Sequence, residues 1–358
     1  MGIGLVRSDD LNQFVLDCDA QSLLATPAGR KHLSSFKLSF KTRVDQSLDP
    51  FSADYFQQQL ELYREISGRE LDQETGELTP IDVDAHAAGS NPYNQPNIGY
   101  IARHVRAIQG SLMAANLPPS AEILDMGCGW GLSSEAMAFA GARVTAVDIN
   151  PQFVDLIRKR ATRLGLPIEA VVSNFDSYTD SRRYDLVFFY ECLHHSLRPW
   201  ETLARMVPLL KPEGRIMWAG EPVNRSWWRH WGLRLDPESV YVMRKYGWWE
   251  GGWSVEFVTR CFERCGMSLR VIPRIGLDGG PVGFAVRKEV ASKVDVLITV
   301  LPGPPQVREI MIGPGGALSQ MKSGSAFIDM STSTVVVADE IRALAEPRGI
   351  AVMDAPVS

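Results

Sequence analysis

Cysteine is scarce in this chain. Its 358 residues include five: Cys18, Cys128, Cys192, Cys261 and Cys265. They are odd in number and scattered, which excludes a disulfide framework and points to a reducing compartment. Cys261 and Cys265 share one face of an expected helix. No further ligand types stand near them in sequence, so half-buried thiols are expected there, not a metal site. Long apolar runs are missing too. None approaches the roughly 20 residues that cross a bilayer, so no membrane span is expected. An excess of positive charge is also missing: Lys+Arg number 37 against 42 for Asp+Glu, a net charge of −5. Such a surface has no global attraction for a phosphate backbone, and duplex nucleic acid is not expected as a partner. The opening MGIGLVRSDDLNQ reaches acidic residues too early for a secretory signal, so a cytoplasmic location is expected. The sequence shows neither an internal repeat nor a low-complexity tract.

What is present describes an ordinary globular chain of roughly two domains at about 150 residues each. Residues 1–97 carry short helical patterns, as in SADYFQQQLELYREI (52–66), then the turn-rich DVDAHAAGSNPYNQPN (82–97). From residue 98 the pattern sharpens. Ile98, Ile101, Val105, Ile108 and Leu112 predict an amphipathic helix that stops before Pro118-Pro119. EILDMG (122–127), ARVTAVDI (142–149), IEAVVS (168–173), YDLVFFY (184–190) and GRIMWAG (214–220) read as strands separated by helical stretches. Asn150 suits an N-cap and Pro151 a first helical position. This alternation predicts βαβ units and a buried parallel sheet. MSLRVIP (267–273) and VGFAVRK (282–288) lack an intervening helix, so antiparallel pairing at an edge is expected. A boundary near Lys288 to Ala291 would open a second α/β piece, with strands in VDVLITV (294–300), SAFIDM (325–330) and GIAVMDA (349–355).

Asp125-Met126-Gly127-Cys128-Gly129-Trp130-Gly131 follows a strand and opens a helix. Glycines there let backbone pass close to a ligand at a helix start. The dinucleotide fingerprint G-x-G-x-x-G fails, because position 132 is Leu. An acid two residues ahead of the glycines would repel a pyrophosphate and attract an amino group. Asp148 ends the next strand, where a carboxylate can take both ribose hydroxyls. One acid near an amine and one on a ribose fit S-adenosylmethionine better than NAD. Taken alone, the glycines would fit a tight strand–helix turn equally well.

EILDMGCGWG, VTAVDINP, YDLVFFYECLHHS and LLKPEGRIMW resemble the class I S-adenosylmethionine-dependent methyltransferases over about 98–288. The resemblance implies an α/β fold with a Rossmann-like seven-stranded sheet whose last strand is antiparallel. It implies a cofactor site of Asp125, Gly127, Cys128, Gly129, Gly131, Asp148, Ile149, Asn174, Phe175 and Tyr190. Asp125 would hold the loop and amino group, Asp148 the ribose hydroxyls. Asn174 stands where many members place an aspartate near the adenine amine, with Asp176 two residues on. The implied reaction is in-line methyl transfer to a small-molecule acceptor, such as a hydroxyl of a sugar-like metabolite. A general base is needed only if the nucleophile arrives protonated. Glu191, His194, His195 and Glu221 follow strand carboxyl ends and are the catalytic candidates, with structural packing the rival role for either histidine.

Eight of the nine tryptophans fall between Trp200 and Trp253. They read as an insertion packing on the sheet or an oligomer contact, with a minority forming an aromatic wall beside the acceptor. Arg225, Arg229, Arg234 and Arg244 offer a basic feature for an anionic acceptor, or a solvated face. The tail, about 291–358, resembles instead the 3-hydroxyisobutyrate and 6-phosphogluconate dehydrogenase-like group, through VDVLITVLPGPPQVREIMIGPGGAL, FIDMSTSTV and DAPVS. That resemblance places Leu301, Pro302 and Thr332 along an NAD(P) site and Ser358 at a substrate-binding turn. Methyltransferase-like sequence stands where the family's G-x-G-x-x-G unit should precede it, and the catalytic lysine would lie beyond DAPVS. Dehydrogenase activity is therefore not expected, and the whole reads as a fusion. Three parts follow: an extension (1–97), a methyltransferase domain (98–290) and a truncated dehydrogenase-like fragment (291–358). The rival readings are an NAD(P)-binding oxidoreductase and a non-catalytic cofactor-binding scaffold.

Overall fold

Apolar runs bounded by glycines and small polar caps become buried strands and crossover helices from residue 98 onward. The structure, a computed structural model, describes residues 3–73, 75, 78, 80–223, 228–272, 282–287, 294–299, 303–313, 316–331 and 334–355. The chain divides into two compact units: Met1–Cys261 with Val271–Phe284, and Phe262–Arg270 with Ala285–Ser358. The expected boundary at 288–291 lies outside the described residues.

The first 97 residues supply β1 (Leu5–Arg7), α1 (Leu11–Ala20), α2 (Pro27–Leu33), β2 (Lys37–Ser39), α3 (Ala53–Ser67) and α4 (Val83–Ala88). Then α5 (Ile98–Ala115) starts where the Asn97 side chain accepts the Tyr100 N–H, and ends at the left-handed Asn116 before the two prolines. The alternation follows: β3 (Glu122–Met126), α6 (Leu132–Phe139), β4 (Arg143–Asp148), α7 (Pro151–Leu164), β5 (Ile168–Val172), β6 (Tyr184–Tyr190), α8 (Pro199–Met206) and β7 (Leu210–Ala219). Asn150 caps α7 by accepting the Gln152 N–H, with Pro151 at the first position. After β7 come β8 (Trp231–Leu233), α9 (Pro237–Tyr246), β9 (Gly251–Trp253), α10 (Val255–Arg264), β10 (Met267–Ile272) and β11 (Val282–Arg287).

Seven strands form one sheet in the order β10-β11-β7-β6-β3-β4-β5. The pairs β6–β7, β3–β6, β3–β4 and β4–β5 are parallel. The sheet is mixed, its last strand being antiparallel. Strand order turns back at β3, between β4 and β6, so the carboxyl ends of β3, β4 and β6 open one crevice, the usual ligand position in such sheets. Ile123, Leu186, Phe188 and Met217 bury against Ile108 of α5 and Met137 of α6. Ala146 and Ala170 meet Val154 and Ile157 of α7. Each large side chain so buried contributes about 1.5–3 kcal/mol over its exposed state.

The N-terminal residues are tied to the tryptophan-rich segment by buried hydrogen bonds. Tyr55 Oη donates to the Trp231 carbonyl at 2.6 Å and Tyr63 Oη to that of Gly247 at 2.6 Å. Trp231 Nε1 donates to the Pro50 carbonyl at 2.7 Å, and the Leu233 N–H to Gln59 Oε1 at 3.1 Å. Trp218, Trp228, Trp231, Trp249 and Trp253 are buried, so most of the cluster is packing.

The second unit contains β12 (Val296–Thr299), α11 (Pro304–Ile312), β13 (Ala326–Asp329), α12 (Val335–Ala345) and β14 (Ala351–Asp354). Its three strands are parallel, in that order. Val307, Met311, Phe327 and Ile341 form its core. Val296, Ile298 and Met353 stay exposed, each about half or more. A parallel sheet ordinarily has both faces covered; these residues leave one apolar face of this small sheet uncovered. The expected NAD(P) residues Leu301, Pro302, Thr332 and Ser358 lie outside the described residues.

Candidate functional site

The loop after β3 is held by its own backbone. Gly127, Gly129 and Gly131 have φ of 64°, 51° and 85°, the left-handed region that glycine adopts freely. The N–H groups of Gly127 and Cys128 both donate to the Val147 carbonyl, at 2.8 and 3.1 Å. That of Gly129 donates to Asp148 Oδ2 at 2.8 Å, and that of Gly131 to the Cys128 carbonyl at 2.9 Å. A dinucleotide loop keeps such N–H groups for phosphate. Here four of them are already spent inside the protein.

Two of the glycines are required by packing. A Cβ on Gly127 would lie 2.9 Å from Cys192 Sγ, and one on Gly131 2.5 Å from Ile157 Cγ1. A Cβ on Gly129 would meet nothing within 4 Å among the described residues. Gly131→Ala is therefore expected to cost about 1–3 kcal/mol through the clash and the left-handed φ. Denaturant unfolding measures it; an unchanged midpoint would contradict this loop geometry.

A cavity of about 810 Å³ opens at the carboxyl ends of β3, β4 and β6. Of the residues expected to hold a cofactor, Gly127, Gly129, Asp148, Ile149, Asn174 and Phe175 line it. Asp125, Cys128, Gly131 and Tyr190 do not. Asp125 is fully buried beneath the loop and accepts from Ser133 Oγ and Ser134 Oγ at 2.7 and 2.5 Å, fastening the start of α6. Burial pushes its carboxyl up to about 6, and its Oδ1 has no hydrogen-bond partner among the described residues. Tyr190 turns away, its hydroxyl 2.7 Å from His104 Nδ1. Asp148 Oδ1 accepts the Asn150 N–H at 2.9 Å. Its carboxylate thus holds the loop at Gly129 and the start of α7 at Asn150 while standing in the cavity wall. Asn174 Oδ1 accepts from Asp176 N, Ser177 N and Ser177 Oγ, all at 2.9 Å. That oxygen is spent on a turn, so the amide offers the cavity its NH₂ in place of the acceptor expected from sequence.

The four catalytic candidates separate into two pairs. Glu191 and His195 line the cavity; His194 and Glu221 do not. Glu221 is buried and caps the turn at 193–195. Its Oε1 accepts the N–H groups of Cys192 and Leu193 at 2.9 Å each. Its Oε2 accepts from His194 N at 3.0 Å and His194 Nδ1 at 2.8 Å. Burial opposes its ionisation, but the His194 imidazole and the backbone donors hold the carboxyl below its ordinary value. A carboxylate so occupied has no hydrogen-bonding capacity to spare for a substrate proton.

Glu191 is different. It follows β6 with a φ of 52°, strained for a residue with a Cβ. Glycine at 220 makes room, since a Cβ there would lie 2.3 Å from Glu191 Cγ. Desolvation and repulsion from Glu221 push its carboxyl up to about 7. His104 Nδ1 stands 3.6 Å from its Oε2. His195 Nδ1 lies 2.9 Å from the Trp249 carbonyl, which can only accept, so Nδ1 carries the proton.

Phe56, Gln73, Trp130, Phe153, Arg198, Arg205 and Trp248 also line the cavity without having been singled out as ligands. Trp130 sits inside the glycine loop and Phe153 in the first turn of α7, so both had a local signal. Phe56 and Gln73 arrive from the N-terminal residues and had none. Of the basic residues expected to meet an anion, Arg225 lies outside the described residues. Arg229, Arg234 and Arg244 are not at the cavity; Arg234 and Arg244 bond Asp236 and Asn12 instead. Arg198 and Arg205 take that position.

Residues 123–214 match the family model of the methyltransferase domain, and residues 277–358 that of the NAD binding domain of 6-phosphogluconate dehydrogenase. Curated relatives are ubiquinone biosynthesis O-methyltransferases. That of Photorhabdus laumondii is 26% identical over 198 residues, 53% of this chain and 74% of the relative. That of Actinobacillus pleuropneumoniae is 32% identical over 132 residues, 35% of this chain and 56% of the relative. Among solved structures, Burkholderia thailandensis 1,6-didemethyltoxoflavin-N1-methyltransferase has a TM-score of 0.40 at 21% identity, covering 52% of this chain and 80% of that one. No helix among the described residues is long and apolar enough to cross a membrane.

Proposed function

We propose that this chain transfers a methyl group from S-adenosylmethionine to a hydroxyl oxygen of a small-molecule acceptor. The observation that carries the reading is the glycine loop. Its N–H groups are committed to Val147 and Asp148, its Gly129 face is open, and the Asp148 carboxylate stands at the cavity wall. That arrangement refuses a pyrophosphate and fits a ribose beside a cationic centre. The relatives' printed activity, O-methylation in ubiquinone biosynthesis, supports an oxygen acceptor.

When bound, the cofactor supplies a methyl group already activated by its sulfonium charge. Asp148 would hold the ribose hydroxyls, and Ile149 and Phe175 would flank the base. Asp125, beneath the loop, would act on the cofactor only through the loop it fastens. Glu191 would accept the acceptor's hydroxyl proton as the new oxygen–carbon bond forms; a base near pH 7 suits that task. Phe56, Trp130 and Trp248 would exclude water from the reacting atoms. Asp148→Asn removes a charge-assisted acceptor worth about 1.5–3 kcal/mol. Cofactor affinity should fall about ten- to a hundredfold, read by calorimetric titration; unchanged affinity would remove Asp148 from the site.

We infer no dehydrogenase turnover for the second unit. No G-x-G-x-x-G stretch precedes β12 between residues 282 and 295. Titration with NAD⁺ and NADP⁺ is expected to show no saturable binding, and a saturable signal lost on deleting 291–358 would revive the oxidoreductase reading.

A further inference from the structure

We propose that His104 is the positioning partner of Glu191: with Tyr190, it supplies or takes up a hydrogen-bond proton as the Glu191 carboxyl changes charge. Its use in turnover rests on the methyl-transfer reading; the coupling itself belongs to the resting chain.

His104 stands on the buried face of α5, in line with Ile108, Ser111 and Ala115. A leucine would complete that face without a partner, whereas a buried imidazole needs one. The partner is Tyr190, whose Oη lies 2.7 Å from His104 Nδ1. The same Nδ1 stands 3.6 Å from Glu191 Oε2, and Glu191 lines the cavity. The Tyr190 hydroxyl in turn acts on the Glu191 carboxylate and favours its charge. Three polar groups, one from α5 and two from the end of β6, thus meet at one point. The imidazole is held in place by the Tyr100 ring, with centroids 4.6 Å apart, and by the Tyr93 ring at 5.7 Å.

The protons can be placed in each state. An ionised carboxylate can only accept. With Glu191 charged, the Tyr190 hydroxyl donates to the carboxylate, and Nδ1 carries a proton that it donates to Tyr190 Oη. A bare Nδ1 would instead turn its lone pair toward a negative charge. With Glu191 protonated, the carboxyl donates to Tyr190 Oη, and the Tyr190 proton goes to a bare Nδ1. Histidine suits both states because its neutral ring carries the proton on either nitrogen. Burial, and then Arg103, hold the His104 imidazole below its ordinary value, so the ring is neutral where Glu191 titrates. Burial raises the Tyr190 phenol, so its hydroxyl keeps its proton. Glu221 after β7, Arg103 of α5 and Arg234 after β8 also act on Glu191, and the phenols of Tyr93 and Tyr100 lie beside His104. A base must be ionised and aimed at the cavity when the acceptor arrives. Donation from Tyr190, reinforced by the His104 N–H behind it, favours both.

The test is ¹⁵N spectroscopy of the histidine rings in the full chain, with His104 assigned by its loss in His104→Asn. In wild type, Nδ1 should change from bare to protonated as pH rises through about 7. Glu191→Gln should hold one tautomer across that range. Turnover supplies the second readout. The acid limb of the kcat–pH profile should move up by about one pH unit in His104→Leu. His104→Asn keeps a polar atom near the Nδ1 position and should restore most of that shift. A purely structural histidine would move neither readout. Thermal unfolding shows which variants fold; should His104→Leu fail to fold, Tyr190→Phe takes its place. A single tautomer throughout in wild type would overturn the proposal, as would a swap left unchanged in Glu191→Gln. An acid limb unmoved in the folded variant would overturn it too. A tautomer swap in a chain that releases no S-adenosylhomocysteine with any acceptor would sink the methyl-transfer reading alone. Turnover with a single tautomer would sink the positioning role alone.

Discussion

Glu191→Gln is expected to lower kcat about 10²–10⁴-fold, with cofactor affinity little changed. The readout is S-adenosylhomocysteine release across a panel of phenolic and other hydroxylated acceptors. The carboxyl, pushed up to about 7 by desolvation and by Glu221, is protonated below that pH and a competent base above it. Wild-type kcat should therefore rise with pH and level off above about 7. The Gln variant should lose that rise. Tyr190, Arg103, Arg234 and His104 also face the group; Tyr190 and the two arginines favour its ionised form and keep the shift from being larger. Stability gives an independent check. A carboxyl raised from 4.5 to about 7 makes the folded state bind a proton the unfolded state releases. Its cost is absent below about 4.5 and complete above about 7. Glu191→Gln should thus be more stable than wild type at pH 8 and indistinguishable from it at pH 4. Equal unfolding midpoints at both pH values would show that the carboxylate is not raised.

Glu221→Ala is expected to be the most destabilising single change at the site, by about 3–5 kcal/mol. It would strand three backbone N–H groups and His194 Nδ1 in a buried turn. For a unit of this size that is a fall in Tm on the order of 10 °C. A catalytic Glu221 would instead give a folded, stable and inactive protein. Calorimetric unfolding decides between them: an unchanged Tm with lost turnover would return Glu221 to the list of bases.

The scaffold was legible because its signals are local. Asn150-Pro151 announced the cap of α7, and five apolar runs announced five strands of the sheet. The glycine loop was legible as a ligand loop, and the acids at 125 and 148 as its flanks. Which acid faces the ligand was not. Asp125 and Asp148 have the same side chain at two strand ends. One points beneath the loop into Ser133 and Ser134, the other into the crevice. Likewise Glu191 and Glu221 look equivalent in sequence. Their environments separate them, because one carboxylate meets four donors and the other meets desolvation.

The tryptophan-rich segment marks the limit of local reading. Its burial depends on Tyr55, Gln59 and Tyr63, about 170 to 185 residues earlier in the chain. Glu250 reaches the histidine turn only because Gly251 permits two backbones to touch. Periodicity, caps and glycine spacing thus determined the βαβ framework and the cofactor loop, since each is set within a few residues of chain. The choice among carboxylates, the partners of the two histidines and the walls of the cavity were decided by the tertiary structure, because desolvation and charge pairing depend on distance in space.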